Sequence, residues 1–274
     1  MKSKRLEKLK RQILPSRGRE EPAVSTSGVS LAEALPGTVL SSEQGQCRLV
    51  SRCIESVDPL WSETAQNYLK ALSGLSGYCN PLDLSPPLHR LMDIPPEGIV
   101  FFDLESCGFR NSVVFLIGML FCEKGRFVGR QLFARSVEEE EAILEECLNC
   151  LSGVSTLVTY NGIRFDLPLL RDRLGKWGLG PLPTFAHLDL LPIVRRRWKK
   201  RLPNCSLRTV ERWILGLNRS GDIPSSRVGS VYEKFAATGN AAGLPGLFRH
   251  NLFDLVSLAE LVTCLLTGFE PNVE

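Results

Sequence analysis

Residues 99–105 have the sequence Ile-Val-Phe-Phe-Asp-Leu-Glu, in which four apolar side chains come directly before an acidic pair. An unbroken apolar run of this length is typical of a β-strand that is buried on both faces of its sheet. Alternate residues of an extended strand point to the same side, so Asp103 and Glu105 leave the strand on one face. The segment therefore predicts a central strand whose carboxyl end presents two carboxylates.

The elements predicted around this strand indicate an α/β fold. In chain order they are a hairpin at 113–122 and 126–134, a helix at 137–151, a strand at 154–160, a helix at 165–177, a strand at 185–188, and helices at 190–200, 206–215, 230–237 and 247–266. Buried strands that alternate with helices need helical layers on both faces of their sheet. We expect a mixed sheet flanked by helices on both faces, with a small, partly flexible N-terminal region before it.

Changes in composition along the chain predict three segments. Residues 1–36 are expected to be basic and flexible, although the first fourteen have the apolar spacing of a helix. Residues 37–95 are expected to form a small accessory region with a hairpin around 43–45, a helix over 61–75 and a proline-rich linker. Residues 96–268 are expected to form the α/β domain.

Positive charge is concentrated at the N-terminus and not in the domain. Residues 1–20 contain eight Lys or Arg against two Glu, a net charge of +6. Because the whole chain carries +3, residues 21–274 sum to −3. This balance excludes a main body that is basic all over, so any nucleic-acid contact must come from local patches.

The sequence has 274 residues. Its composition predicts a soluble, cytoplasmic protein with no membrane partner. Its longest apolar run, residues 113–122, is too short to cross a bilayer as a helix. The first twenty residues contain no apolar stretch of the kind found in a signal peptide. Nine cysteines, an odd number, argue against a secreted disulfide framework and favour reduced thiols. Protein partners cannot be identified from the sequence.

Two further acids accompany the first pair. Asp166 begins a predicted helix just after the second buried strand, and Asp254 lies in the last apolar helix, one turn after His250. Each has an ordinary explanation when it is taken alone, because Asp166 could cap its helix and Asp254 could lie on a half-exposed helix face. Together, acids that end two neighbouring strands mark the edge where open α/β sheets bind ligands. Four clustered carboxylates repel one another, so the pattern favours hard divalent cations such as Mg²⁺ or Mn²⁺.

The motifs resemble those of a known superfamily. Asp103-x-Glu105, then Asn161 four residues before Phe165-Asp166, and then a histidine four residues before Asp254 are similar to the three motifs of the DEDD 3′–5′ exonucleases, which have the ribonuclease-H-like fold. The segments between them are similar to the proofreading exonuclease domains of family-B DNA polymerases. The resemblance covers about residues 97–267 and is strongest to the YprB-like group of ribonuclease-H-like proteins.

The resemblance implies a metal-dependent 3′–5′ exonuclease that uses two Mg²⁺ or Mn²⁺ ions. In this family pattern Asp103 bridges both ions, Glu105 and Asp254 complete one ion site, and Asp166 supports the other. His250 takes a proton from the attacking water or orients it. The chain departs from the family in one respect that concerns the chemistry, because His250 stands where the tyrosine-type branch has Tyr, and the histidine-type branch has its His one position earlier.

A basic segment follows the last predicted strand. Residues 195–201 have the sequence Arg-Arg-Arg-Trp-Lys-Lys-Arg, which suits a phosphate backbone and a stacked base. The alternative is a solvated helix end, where cations are favourable near the C-terminus. The resemblance also favours a substrate contact for Asn161. The candidate nucleic-acid-binding residues are Asn161, Arg195, Arg196, Arg197, Trp198, Lys199, Lys200 and Arg201, and the expected partner is a single-stranded 3′ end.

Two other functions remain open at this point. The same fold supports structure-selective endonucleases. The chain could also be a catalytically silent nucleic-acid-binding or adaptor module that has kept the acids.

Overall fold

The computed structural model describes residues 28–74, 85–108 and 112–268. The helix predicted over the first fourteen residues lies outside this range, as do most of the segment 1–36 and part of the proline-rich stretch.

A mixed seven-stranded sheet forms the centre of the protein, as the sequence predicts. Its strands are β1 (Thr38–Ser42), β2 (Gly45–Cys53), β3 (Ile99–Ser106), β4 (Val114–Glu123), β5 (Arg126–Phe133), β6 (Thr156–Thr159) and β7 (Ala186–Asp189). They are arranged in the order β1-β2-β5-β4-β3-β6-β7. The pairs β3–β6 and β6–β7 are parallel, and the other neighbouring pairs are antiparallel.

Helices cover both faces of the sheet. They are α1 (Leu31–Ala34), α2 (Thr64–Leu72), α3 (Pro86–Leu91), α4 (Glu140–Leu151), α5 (Asp166–Trp177), α6 (Leu190–Trp198), α7 (Leu207–Val210), α8 (Ser225–Thr238) and α9 (Leu244–Thr267). Alternate residues of β3 divide between two apolar clusters. Phe101 packs with α2, α3, α6 and α9, whereas Val100 and Phe102 pack with α4 and α5. Asp103 and Glu105 follow Phe101 at intervals of two, so they belong to the α9 face.

The predicted accessory region, residues 37–95, is part of the same packed structure. The hairpin β1–β2 pairs with β5 and so extends the central sheet. The rings of Trp61 and Phe253 meet edge to face, with centroids 4.8 Å apart, and Tyr68 of α2 packs on Phe101 at 5.5 Å. This region therefore shares its core with the α/β domain.

Several helices differ from their predicted bounds. The helix expected over 61–75 is α2, and a 3₁₀ turn at Pro59–Trp61 precedes it. The helix expected over 137–151 begins with a 3₁₀ turn at Val137–Glu139. The helix expected over 206–215 is α7 followed by a π-helical turn at Glu211–Leu215. A π-helical turn is rare in proteins and often lies at a functional site.

Helix α9 is the central helix of the domain. It is long and apolar enough to cross a membrane by length and composition, but 78% of its most apolar window is buried inside the protein. A core helix of a soluble fold has the same properties, so this composition is explained by packing against β3, β4 and β5.

A fully buried ion pair joins α4 to α5. The carboxylate of Glu140 accepts hydrogen bonds from Arg173 Nε at 2.7 Å, from Trp177 Nε1 at 2.8 Å and from the backbone N–H of Val114 at 2.8 Å. Both charged side chains are 0% exposed. The pair thus connects two helices to the start of β4.

We expect Arg173→Met to lower the free energy of unfolding by about 3–5 kcal/mol, because it leaves the Glu140 charge buried without its partner. Chemical denaturation measures this loss. Arg126→Met is the matched control, since Arg126 is 65% exposed in its pair with Glu55 and should cost at most about 1 kcal/mol. Equal losses in the two variants would contradict the role assigned to the buried pair.

Candidate metal centre

The carboxylate of Asp103 is held by an amide network that crosses three strands. Asn251 of α9 donates from Nδ2 to Asp103 Oδ2 at 2.8 Å, and its Oδ1 accepts from Gln131 Nε2 at 2.8 Å. Gln131 also donates to the carbonyl of Phe248, at 2.8 Å. Asp103, Gly118 and Gln131 are register partners on β3, β4 and β5, so the network runs straight across the sheet.

Gly118 makes this network possible. A Cβ atom at this position would lie 2.1 Å from Asn251 Oδ1, much closer than atoms can approach. Only glycine therefore lets α9 approach β4 closely enough for Asn251 to reach Asp103.

Asp166 is positioned by the loop between β6 and α5. It is the first residue of α5, is 8% exposed, and accepts a hydrogen bond from the backbone N–H of Leu104 at 3.3 Å. Asp189, at the end of β7, accepts from the backbone N–H groups of Asn161 at 2.7 Å and Ile163 at 3.1 Å. Asn161 has a left-handed backbone with φ 66°. The Asp189 carboxylate thus fixes the loop that carries both Asn161 and Asp166.

His250 and Asp254 lie one turn apart on α9, as predicted. His250 is 3% exposed, and its Nδ1 lies 2.9 Å and 3.0 Å from the two carboxylate oxygens of Asp222. Its Nε2 faces Asp254 Oδ2 at 3.8 Å. The guanidinium of Arg219 donates to Asp254 Oδ1 and Glu211, and lies 3.3 Å from Asp222. These contacts join the segment after α7 to His250 and Asp254 of α9.

Burial and mutual repulsion raise the pKa values of the acids. Burial raises the pKa of Asp103 well above its ordinary range, and the charges of three neighbouring acids raise it further, against the hydrogen bond from Asn251. The pKa of Glu105 is raised for the same reasons, with Arg219 acting in the opposite direction. Burial raises the pKa of Asp166 to about 7, although backbone hydrogen bonds lower it. Negative charge in this region is therefore only partly compensated.

The arrangement fits a divalent cation. Ligand atoms of Glu105, His250 and Asp254 lie within 4.8 Å of one another. Asp103 and Asp166 belong to the same group of acids, since the charge of Asp166 raises the pKa of both Asp103 and Glu105. The structure thus brings together all five residues that the sequence predicts for the catalytic centre.

Sequence reasoning did not predict the residues that hold these ligands. Asn251 directly follows His250, and Gly118 interrupts the longest apolar run, so both positions could have been singled out from the sequence. Gln131 left no such signal, because a polar residue in a strand is expected to face solvent. Arg219 and Asp222 also left none, because they lie in an irregular segment between α7 and α8.

The predicted nucleic-acid-binding residues divide into two groups. Arg195, Arg196, Lys199, Lys200 and Arg201 are exposed, and Arg197 is half-buried. Trp198 is 0% exposed and lies in the apolar cluster that includes α9, so the prediction that its ring stacks on a base is wrong. Trp198 lies on the apolar side of α6, which packs on the core, and the exposed cations around it face solvent.

A groove of about 900 Å³ runs from the loop after β6 to the basic end of α6. Its lining includes Tyr160, Asn161, Arg195, Lys199 and Ser206. The hydroxyl of Tyr160 donates to the Cys205 carbonyl at 2.7 Å and so connects the two walls. Two of the predicted cations therefore share one groove with Asn161.

Comparison with known proteins gives the family. A family model described as the RNase_H superfamily matches residues 100–266, which is more than half of the chain and extends from β3 into α9. The chain therefore belongs to the RNase H superfamily, a nuclease-type fold, and the predicted ribonuclease-H-like fold is confirmed.

Two individual proteins are similar to the chain. The uncharacterized protein YprB of Bacillus subtilis (strain 168) is 34% identical in an alignment of 175 residues, and the match covers 60% of this chain and 41% of that protein. The chain thus spans less than half of this relative. The structure of the family B DNA polymerase from the hyperthermophilic archaeon Pyrobaculum calidifontis aligns with 60% of this chain and 24% of its own, at 19% identity and a TM-score of 0.49.

Without divalent ions, the thermal stability should fall as the pH rises from about 4 to about 7. An acid whose pKa is raised in the folded state keeps a proton that the unfolded chain has lost, so deprotonation in this window favours unfolding.

Mn²⁺ should raise the melting temperature more at about pH 8 than at about pH 5, because protons compete for the carboxylates. Asp103→Asn should flatten the metal-free pH dependence. A pH-independent melting curve for the unsubstituted protein would contradict the assigned pKa shifts.

Proposed function

We propose that this protein is a metal-dependent 3′–5′ exonuclease that hydrolyses nucleic-acid phosphodiester bonds by a two-metal mechanism. The observation that carries the proposal is the convergence of the acids of β3, α5 and α9 at one end of the sheet, in a chain of the RNase H superfamily. Membership in that superfamily supports a nucleic-acid substrate. The 3′–5′ polarity comes from the motif resemblance.

Each acid has a part in this proposal. Following the motif resemblance, Asp103 would contribute to both ion sites, Glu105 and Asp254 would complete one of them, and Asp166 would support the other. When bound, the ions supply charge neutralisation and Lewis-acid chemistry at the scissile phosphate. The protein supplies the placement, because Asn251, Arg219 and the Leu104 backbone hold three of these carboxylates in fixed orientations.

The substrate strand is proposed to follow the groove beside Asn161. Arg195 and Lys199 line it and contribute positive charge for phosphate groups. Ile163 and Phe165 project from the same loop with 57% and 47% of their surface exposed, unusual values for apolar side chains of this size. They offer apolar contacts for the bases next to the scissile bond.

We expect Asp103→Asn and Asp254→Asn to reduce nuclease activity by more than about a hundredfold, because loss of a residue behind a ligand alone costs about 10- to 100-fold. End-labelled single-stranded DNA and RNA, incubated with Mg²⁺ or Mn²⁺ and with a chelator, measure the loss. Asp172→Asn is the control, since that carboxylate lies on α5 and is 42% exposed. If Asp103→Asn and Asp254→Asn were as active as the Asp172→Asn control, the proposed centre would be contradicted.

The digestion products also distinguish the alternatives. An exonuclease gives products that shorten from the 3′ end and leaves circular DNA intact. Cleavage of the circle would instead support an endonuclease, and retardation without shortening would support a silent binding module.

Arg195→Ala and Lys199→Ala should each weaken single-strand binding and reduce the dependence of log K on log salt by about 0.7. Their side chains line the groove, so the loss should be similar for all sequences. Fluorescence anisotropy over a salt series measures both quantities. Lys124→Ala is the control, because Lys124 is exposed in the β4–β5 turn at the opposite end of the sheet. An unchanged salt slope in the groove variants would exclude this path for the strand.

A further inference from the structure

We infer that His250 is a metal ligand, which binds a divalent ion through Nε2 together with Glu105 and Asp254, and that Asp222 is the positioning residue that orients it. The inference rests on the proposed function, because it concerns the same site. It replaces the water-activating role that the motif resemblance implies for His250.

The contacts of the imidazole are those of a ligand. Both oxygens of Asp222 lie within 3.0 Å of Nδ1, and a carboxylate accepts hydrogen bonds, so the proton belongs on Nδ1. Nε2 then keeps its lone pair. Metal-binding histidines in proteins commonly pair their other ring nitrogen with a carboxylate in this way.

The lone pair of Nε2 points at other ligand atoms. Its distance of 3.8 Å to Asp254 Oδ2 is too long for a hydrogen bond, and in the described part of the chain Nε2 has no hydrogen-bond partner. The Glu105 carboxylate likewise accepts no hydrogen bond from any described residue. This ring nitrogen and the Glu105 carboxylate, neither of which has a hydrogen-bond partner among the described residues, lie within 4.8 Å of each other and of the Asp254 ligand atom, and so form an incomplete coordination set.

Arg219 fixes the third ligand. Its guanidinium binds Asp254 Oδ1, which leaves Oδ2 turned toward His250. The same guanidinium lies 3.3 Å from Asp222, so the groups that orient the two ligands also contact each other. Arg219 and Asp222 are 4% and 2% exposed, which makes this support rigid.

A nitrogen ligand has a consequence for the choice of ion. Mg²⁺ prefers oxygen ligands, whereas imidazole suits transition metals. The site should therefore prefer Mn²⁺, Co²⁺ and Zn²⁺ over Mg²⁺ by a wider margin than a centre made of carboxylates alone.

Nitrogen NMR of the full-length protein tests the assignment directly. The chain has three histidines, so ¹⁵N-histidine labelling gives few signals, and exposed His89 serves as an internal reference. Zn²⁺, a diamagnetic probe, should move the Nε2 signal of His250 to a metal-bound shift while Nδ1 keeps its proton. Asp222→Asn should lower the Zn²⁺ affinity about 10- to 100-fold. Zn²⁺ binding that leaves the His250 signals unchanged, or no binding at this site, would overturn the inference.

Two matched variants give a second measurement. His250→Gln places an amide oxygen near the position of Nε2, and His250→Asn keeps only a group near Nδ1. By calorimetry, the Gln variant should retain Mg²⁺ binding and lose about tenfold or more of the preference for Mn²⁺. The Asn variant should lose affinity for both ions. A wild-type ratio of Mn²⁺ to Mg²⁺ affinity in both folded variants would also overturn the inference.

The outcomes separate the two proposals. Coordination by His250 without nuclease activity would support the inference and contradict the proposed function. Nuclease activity with unshifted His250 signals would do the reverse.

Discussion

Repulsion among carboxylates is the constraint on which the organisation of this site depends. The acids of β3, α5 and α9 each raise the pKa of a neighbour, and Asp222 and Glu211 bring further negative charge close to them. Arg219 compensates part of this charge from within, through contacts with three of the acids. The remainder is the physical reason for a divalent ion. In the proposed metal centre, a divalent ion would relieve the repulsion that remains among these carboxylates.

The sheet contributes geometry to this centre as well as a core. Asp103, Gly118 and Gln131 lie side by side on three strands, and Asn251 inserts over the glycine to join them. The Asn251 amide of α9 can therefore bond both Asp103 and Gln131 only when the strands pair in this register. Any slip of that register would move Asp103 away from Asn251. The position of the acid therefore depends directly on correct strand pairing.

The sequence predicts most of the elements because their patterns are local. The run of apolar residues before Asp103 and the spacing of His250 and Asp254 identify a strand and a helix without further information. Trp198 shows the limit of this approach. A tryptophan among six cations suggests a surface, yet which side of α6 faces the core depends on α9, far along the chain. Arg219 and Asp222 could not be predicted for the same reason, since their partners are defined only by tertiary contact.

Arg219 acts as an internal counterion, so the stability of this region does not depend on a metal ion alone. In many small metalloproteins the ion is the main stabiliser, and its removal unfolds the chain. Here a guanidinium from the chain itself contacts Asp254, Glu211 and Asp222. The region around the proposed ion therefore has a charge balance of its own, so gain and loss of that ion need not be coupled to folding and unfolding.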